Sequence, residues 1–222
     1  CCLLAGVRLL RRVDAGACAW LALGLVVGGL SHYRFVAVIG VGLVALLWLP
    51  EGRRALRDAR VWAALGVGAL AWLPLLTWNL EHGEAGWRFQ FVERHPWALH
   101  AEGFRFIVVQ AVLATPLLFA ALLQATAQAG ARHDIAVRWL ALAGALTLAG
   151  FFLLGFVADA ERVSFHWPLP GYLALLVLAP GVLACWPQWL RRMAWVTLAL
   201  GCGLAVAGYL IVASPQGRDS SR

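Results

Sequence analysis

Two polar segments of this chain combine histidine, arginine, glutamate and aromatic side chains, and each adjoins a long apolar run. They cover residues 81–104 and 159–172. Aromatic rings can stack on the apolar faces of sugars, and a guanidinium group can hold two phosphate oxygens at once. These residue types therefore favour contact with sugar or phosphate. On composition alone, an interfacial amphipathic helix whose aromatic side chains rest on lipid is an equal alternative for 81–104.

Three residues beside the membrane are informative because of their neighbours. Asn79 closes an apolar run after Pro74, where its amide can cap freed backbone groups or bind a ligand. His166 precedes a Pro-Leu-Pro sequence, and proline restricts both its own torsion and that of the preceding residue. The sequence thus predicts a rigid helix entry that holds His166 at the membrane face. Arg162 is a candidate for phosphate contact, and its alternative role is an ordinary surface ion pair with Glu161.

The histidines of the two segments do not form a metal-binding pattern. No pair has the i, i+4 spacing of a metal-binding helix, and His95 and His100 are five residues apart. Ser-His-Asp arrangements and phosphate-binding glycine loops are also missing from the sequence. We predict no metal site and no cofactor.

Composition places the chain in the membrane. Of its 222 residues, 62% are hydrophobic and only 13% are charged, with a mean hydropathy of +0.78. Five uncharged runs are long enough to cross a bilayer, at 61–80, 106–131, 139–157, 167–190 and 193–217. The stretch 15–50 is read as two further helices, since a single long tilted helix would bury His32 and Arg34 near the midplane. The predicted fold is an all-α, polytopic transmembrane helix bundle of about seven spans.

Arginine predicts the orientation, because the chain contains no lysine. With seven spans, one side of the membrane receives eleven arginines and four carboxylates, and the other receives seven of each. The positive-inside rule puts the first side in the cytoplasm, so both polar segments lie outside. Most tryptophans fall near predicted helix ends, as membrane anchors do. The net charge of +7 is explained by this topology and by anionic membrane lipids, and nucleic acid is not an expected partner.

The chain is predicted to form one transmembrane helical domain, 1–214, followed by a disordered tail at 215–222. Its five cysteines predict no disulfide framework. The sequence opens at Cys1, without methionine, in an arginine-bearing amphipathic stretch, and we expect it to be the later part of a longer protein.

Four short motifs carry a family resemblance: GLSHY (29–33), PLLTWNLEHG (74–83), WRFQ (87–90) and HWPLPGY (166–172). Together they resemble the later membrane segments of bacterial family 39 glycosyltransferases. These are the dolichyl-phosphate-mannose-protein mannosyltransferase-like proteins of the GT-C class, which include the aminoarabinose transferases of lipid A. The first motif departs from the family at His32, where lysine is more usual.

The resemblance implies a multi-pass enzyme of the bacterial inner membrane that takes a sugar from a polyprenyl-phosphate donor. It would transfer that sugar to a glycolipid or protein acceptor on the periplasmic face. The family's catalytic carboxylate lies in an early periplasmic loop that no segment here matches, so this carboxylate is expected upstream of Cys1. No catalytic residue is therefore assigned, and the chain alone is expected to be inactive.

The resemblance also implies which residues contact the substrates. Glu81, Glu84 and Glu161 are candidates for sugar hydroxyls. The candidates for contact with the donor phosphate or sugar are Asn79, His82, Arg88, Arg94, Arg162 and His166.

Two other functions remain open. A transporter or flippase of a lipid-linked precursor would place polar groups midway through its helices and would contain broken helix pairs in related halves. The apolar mid-span regions of the sequence favour the transferase over this alternative. A truncated product without independent function is the other possibility.

Overall fold

The computed structural model describes residues 1–32, 35–89, 98–127, 130, 134–157 and 165–213. Within these ranges the chain forms thirteen helices and no strand. The predicted all-helical class is therefore confirmed. The helices are α1 Cys2–Arg11, α2 Ala15–Ser31, α3 Phe35–Trp48, α4 Pro50–Ala55, α5 Ala59–Leu70, α6 Leu73–Glu81, α7 Ala85–Arg88, α8 Glu102–Leu113, α9 Pro116–Ala127, α10 Ile135–Leu154, α11 Leu169–Leu176, α12 Ala179–Ala184 and α13 Gln188–Ala213.

Three helices are long and apolar enough to cross a membrane. They are the α5–α6 unit Ala59–Glu81, α10 and α13, and α8 with α9 makes a fourth span if that bent pair crosses as one. The apolar helices α2 and α3 are shorter, with 17 and 14 residues. The described part of the chain thus has three to four candidate spans, and seven crossings stay a prediction.

Aspartate starts three of the apolar helices. Carboxylate oxygens of Asp14, Asp58 and Asp134 accept backbone N–H groups at the first turns of α2, α5 and α10, over 2.7, 2.9 and 2.8 Å. Such caps satisfy N–H groups that have no partner inside the helix. The Arg60 side chain also donates to Asp58 and, with the backbone bond, lowers the pKa of Asp58 to about 2. The caps thus fix the starts of α2, α5 and α10 at aspartates that the sequence predicts to be cytoplasmic.

The stretch 15–50 forms two helices, as predicted, rather than one long helix. α2 ends at Ser31, and the backbone of His32 is extended. The Phe35 ring at the start of α3 packs so closely on Gly28 that a Cβ there would overlap it. This glycine therefore lets α3 fold back against α2.

Two predicted spans are broken by proline. In the run 106–131, α8 and α9 meet at an angle of 108°, with Thr115 at φ +64° just before Pro116. In the run 167–190, α11 stops at Leu176 and α12 restarts with Pro180 in its first turn. Proline has no N–H for the helix ladder and its ring clashes with the preceding turn, which accounts for both interruptions.

The long helix α10 lies at the centre of the described bundle, packed against α1, α3, α8, α9 and α11. Near its start, the buried Trp139 donates its indole N–H to the Leu3 carbonyl over 3.2 Å, and its ring fills the space beside Gly6. The amphipathic α1 is therefore part of the bundle.

α10 and α11 cross at small residues. A Cβ on Gly171 would lie 3.0 Å from Thr147 Cβ and 3.2 Å from the Gly144 carbonyl oxygen. On the facing helix, Gly144 accommodates the Leu175 side chain, whose Cδ2 would be 2.7 Å from an added Cβ. Small residues at a crossing let helix backbones approach closely in membranes. This contact fixes α11 on α10 and so positions the segment that precedes α11.

Candidate functional site

The corner between α6 and α7 contains three of the sequence-predicted candidates. Asn79 is only 3% exposed, and its Nδ2 donates to the Leu75 carbonyl over 2.9 Å. Its backbone carbonyl accepts the Glu84 N–H over 2.8 Å, and a Cβ on Gly86 would lie 2.6 Å from its Oδ1. Asn79 thus bonds to backbone groups and holds α7 against the end of α6, and its contact with the donor stays a prediction.

The turn inside this corner has an unusual backbone. Gly83 and Glu84 have φ values of +61° and +60°. Glycine adopts this left-handed region freely, whereas a side chain such as that of Glu84 makes it strained. Strain of this kind clusters at functional sites.

The His82 ring is exposed but oriented. It stacks on the Trp78 indole, with centroids 4.5 Å apart and planes 15° from parallel. Its Nδ1 lies 2.8 Å from the Trp78 carbonyl oxygen. Because that oxygen only accepts, Nδ1 carries the proton, and Nε2 is the acceptor of the neutral ring. Arg88 is exposed in the last turn of α7, so this corner offers a ring nitrogen and a guanidinium group to the surroundings.

A second polar group lies between α8 and α11. Gln110 of α8 is 1% exposed, and its Nε2 donates to the Phe165 carbonyl over 2.7 Å. Its Oε1 accepts the Tyr172 hydroxyl of α11 over 2.9 Å. The network holds the segment 165–168, in which Phe165 and His166 are exposed and Trp167 and Pro168 are buried.

This second group belongs to the end of the bundle where α8 begins and α10 finishes. The His100 N–H donates to the Phe156 carbonyl over 2.9 Å, and the Phe104 and Phe156 rings meet edge to face at 4.9 Å. The Phe151 ring lies 6.0 Å from that of Trp167. His166 therefore lies at the end of α10 opposite its Asp134 cap.

The sequence-predicted candidates divide into two groups. Asn79, His82 and Arg88 lie together at the α6–α7 corner, and His166 lies beside α8, α10 and α11. Arg94 and Arg162 lie outside the described residues. Within the described chain, α6 packs mainly against α7 rather than against α8, α10 or α11. A cleft shared by the two groups therefore stays a prediction.

The location of the catalytic carboxylate stays a prediction. Cys1 itself is exposed and directly precedes α1. It lies beside the middle of α2, where a Cβ on Gly24 would be 3.1 Å from Cys1 Cβ.

Sequence reasoning missed Gln110. It is the one amide side chain in the apolar run 106–123, and a polar residue inside an apolar span usually faces the bundle interior. That signal was present in the sequence, but its partners are 55 and 62 residues away.

An apolar cavity of about 60 Å³ lies elsewhere, among α1, α2, α3, α5 and α10. Its walls include Leu25, Ile39, Val61 and Trp139, and they present almost no polar surface. A sugar or phosphate placed there would lose its hydrogen bonds to water without replacement. Within the described ranges, no cluster of three or more His, Cys, Asp or Glu side chains is arranged to hold a metal ion.

Comparison with known proteins gives one informative relative. The lipid A galacturonosyltransferase RgtD of Rhizobium johnstonii is 29% identical to this chain over 194 residues, which is 85% of this chain and 40% of that protein. The chain thus spans about two fifths of the length of this curated relative. No family model matches the chain, and neither does any solved structure. The similarity supports the expected resemblance to a glycosyltransferase, and membership of family 39 stays a prediction.

Proposed function

We propose that this chain is the membrane part of a GT-C glycosyltransferase related to family 39. It moves a sugar from a polyprenyl-phosphate donor to an envelope acceptor on the periplasmic face of a bacterial inner membrane. The observation that carries the proposal is the similarity to a lipid A galacturonosyltransferase over 85% of the chain. That relative makes galacturonic acid and lipid A the first sugar and acceptor to test.

The chemistry explains which residues the site needs. An acceptor hydroxyl oxygen attacks the anomeric carbon while the bond from that carbon to the lipid phosphate breaks. The phosphate oxygen leaves with the bonding electron pair, and a carboxylate base takes the hydroxyl proton. Fixed cations stabilise the departing phosphate. No base is assigned in this chain.

The α6–α7 corner suits the cationic part of this task. Arg88 offers a forked cation for phosphate oxygens, and the oriented His82 offers Nε2 to a sugar hydroxyl. Asn79 supports both by holding the corner. Arg94, Arg162 and His166 complete the proposed donor site.

The proposed topology has seven crossings, with both polar segments on the periplasmic side. The arginine distribution supports it. Two contacts add support: Arg60 at the start of α5 donates to the Val13 carbonyl just before α2 over 3.2 Å, and Arg11 lies 4.0 Å from the Asp134 cap of α10, so all three helices begin at the same end of the bundle.

The test is transfer by the purified full protein in detergent or proteoliposomes. We expect it to move galacturonic acid from polyprenyl phosphate to lipid A, detected as a mass increase of the acceptor. A nucleotide-linked sugar is the control donor and should give no product. Absence of both transfer and binding of the lipid-linked donor would reject the proposal.

One observation favours the transporter alternative. The bent α8–α9 pair, with the buried Gln110 amide in α8, is a broken helix pair with a buried polar side chain, a combination that transporters use. In proteoliposomes, a transporter would move the lipid-linked sugar between leaflets and leave its glycosyl phosphate bond intact. That result in the same assay would replace the transferase proposal.

A further inference from the structure

We infer that Gln110 is a positioning residue for His166, acting through the backbone carbonyl that precedes this histidine. The inference rests on the proposed function, in which His166 contacts the lipid-linked donor. Gln110 itself is buried at the α8–α11 contact and has no exposed surface to offer a ligand.

The orientation of the Gln110 amide is determined by its two partners. The Phe165 carbonyl can only accept, so it must face the amide NH₂ group, 2.7 Å away. The Tyr172 hydroxyl then donates to Oε1 over 2.9 Å. A flipped amide would place two oxygen acceptors against each other. The network therefore has one satisfied arrangement, which locks the side chain between two helices.

The hydrogen bond from Gln110 to the Phe165 carbonyl lies where the side chains change from exposed to buried along the chain. Phe165 is 62% exposed and His166 is exposed, whereas Trp167 is only 5% exposed. On the other side of His166, its own carbonyl accepts the Leu169 N–H over 3.1 Å. Both carbonyls that flank the His166 α-carbon are thus held by hydrogen bonds. This fixes the direction in which the imidazole leaves the backbone.

A double-mutant cycle tests this role in the full protein, with kcat and the donor KM measured by the transfer assay. We expect Gln110→Leu to raise the donor KM by roughly 5- to 30-fold, because the Phe165 carbonyl loses its buried donor. In a His166→Ala background the same change should have little further effect, since the group it positions is gone. An equal rise in both backgrounds, or an unchanged KM for Gln110→Leu alone, would overturn the inference.

Two further variants identify the important bond. Tyr172→Phe removes the bond to Oε1 but keeps the one to Phe165, so its effect on KM should be smaller than that of Gln110→Leu. An equal effect would contradict the assignment. Gln110→Asn retains the amide but is one methylene too short to reach both partners. This variant replaces Gln110→Leu in the test if the leucine variant fails to fold, and its KM should shift in the same direction. An Asn variant with the wild-type KM would overturn the inference.

A readout without activity separates this inference from the proposed function. In a protein whose five native cysteines are replaced, a nitroxide label on a His166→Cys variant should be more mobile, by its electron paramagnetic resonance spectrum, when Gln110 is replaced by leucine or asparagine. An unchanged spectrum would overturn the positioning role even in an active protein. If the label is mobilised but the protein with His166 and Gln110 intact neither transfers sugar nor binds the lipid-linked donor, the positioning role is retained and the transferase proposal is rejected.

Discussion

Replacing Arg88 with alanine is expected to lower kcat/KM for transfer from a polyprenyl-phosphate sugar by roughly 10- to 100-fold. A hydrogen bond to a charged group contributes about 1.5–3 kcal/mol, which corresponds to a change of this size. Arg88 is exposed at the end of α7, on a corner that Asn79 holds in place, so its guanidinium can reach a phosphate without refolding the bundle. Initial-rate kinetics over a range of donor concentrations measures the effect.

The matched control is Arg105→Ala. The Arg105 side chain is 81% exposed and lies 3.8 Å from Glu102, an ordinary surface pair that contributes little in water. We expect kcat/KM to stay within about threefold of wild type for this variant, consistent with the small energies of exposed pairs. Similar losses for both substitutions would show that general positive charge, rather than Arg88, matters.

Replacing Gly52 with alanine is expected to destabilise the fold, although alanine is the better helix former. Gly52 lies in α4, where this helix turns back under the end of α3. A Cβ there would be 2.6 Å from Leu46 Cα and would also overlap the Leu46 carbonyl oxygen. Backbone atoms cannot rotate away as a side chain can, and overpacking of this kind costs about 1–3 kcal/mol. The measurement is the thermal unfolding midpoint in detergent.

Gly42→Ala is the control for Gly52→Ala. Gly42 lies in α3, and a Cβ there would have nothing within 4 Å. Alanine is favoured over glycine inside a helix by about 1 kcal/mol, so this variant should unfold at the same or a higher temperature. The Gly52→Ala variant should therefore unfold at a lower temperature than both the wild type and the Gly42→Ala variant. A loss of stability for both would contradict the packing described for the α3–α4 corner.

The broad fold was predictable because it follows from local chemistry. Hydropathy requires helices in a bilayer, where backbone groups must bond within their own segment. The polar sequence that begins at Ser31 separates α2 from α3, and Asp58 marks the start of α5. The helix breaks at Pro116 and Pro180 were missed, since both prolines lie inside apolar runs that were read as continuous spans. Whether such a proline kinks or ends a helix depends on neighbouring packing.

The candidate site was predictable only in part. The local contacts of Asn79 and His82 were predictable, because Leu75 and Trp78 are only four residues earlier in the chain, whereas contact of either residue with the donor stays a prediction. The role of Gln110 depends on Phe165 and Tyr172, which reach it only through the packing of α8 and α11. Tertiary contacts of this kind leave no pattern in the sequence.

A shared donor site requires that the α6–α7 corner and the segment before α11 face the same extracytoplasmic space. Cross-linking of an Arg88→Cys, His166→Cys pair tests this most directly, in a protein whose five native cysteines are replaced. A short, membrane-impermeant bismaleimide applied to intact spheroplasts should join this pair. It should not join Arg88→Cys to Arg57→Cys, which is predicted to lie in the cytoplasm. Failure of the first pair to cross-link, although each cysteine alone reacts with the reagent from outside, would contradict a shared donor site. Reaction of positions 88 and 166 from opposite sides of the membrane would contradict the whole arrangement.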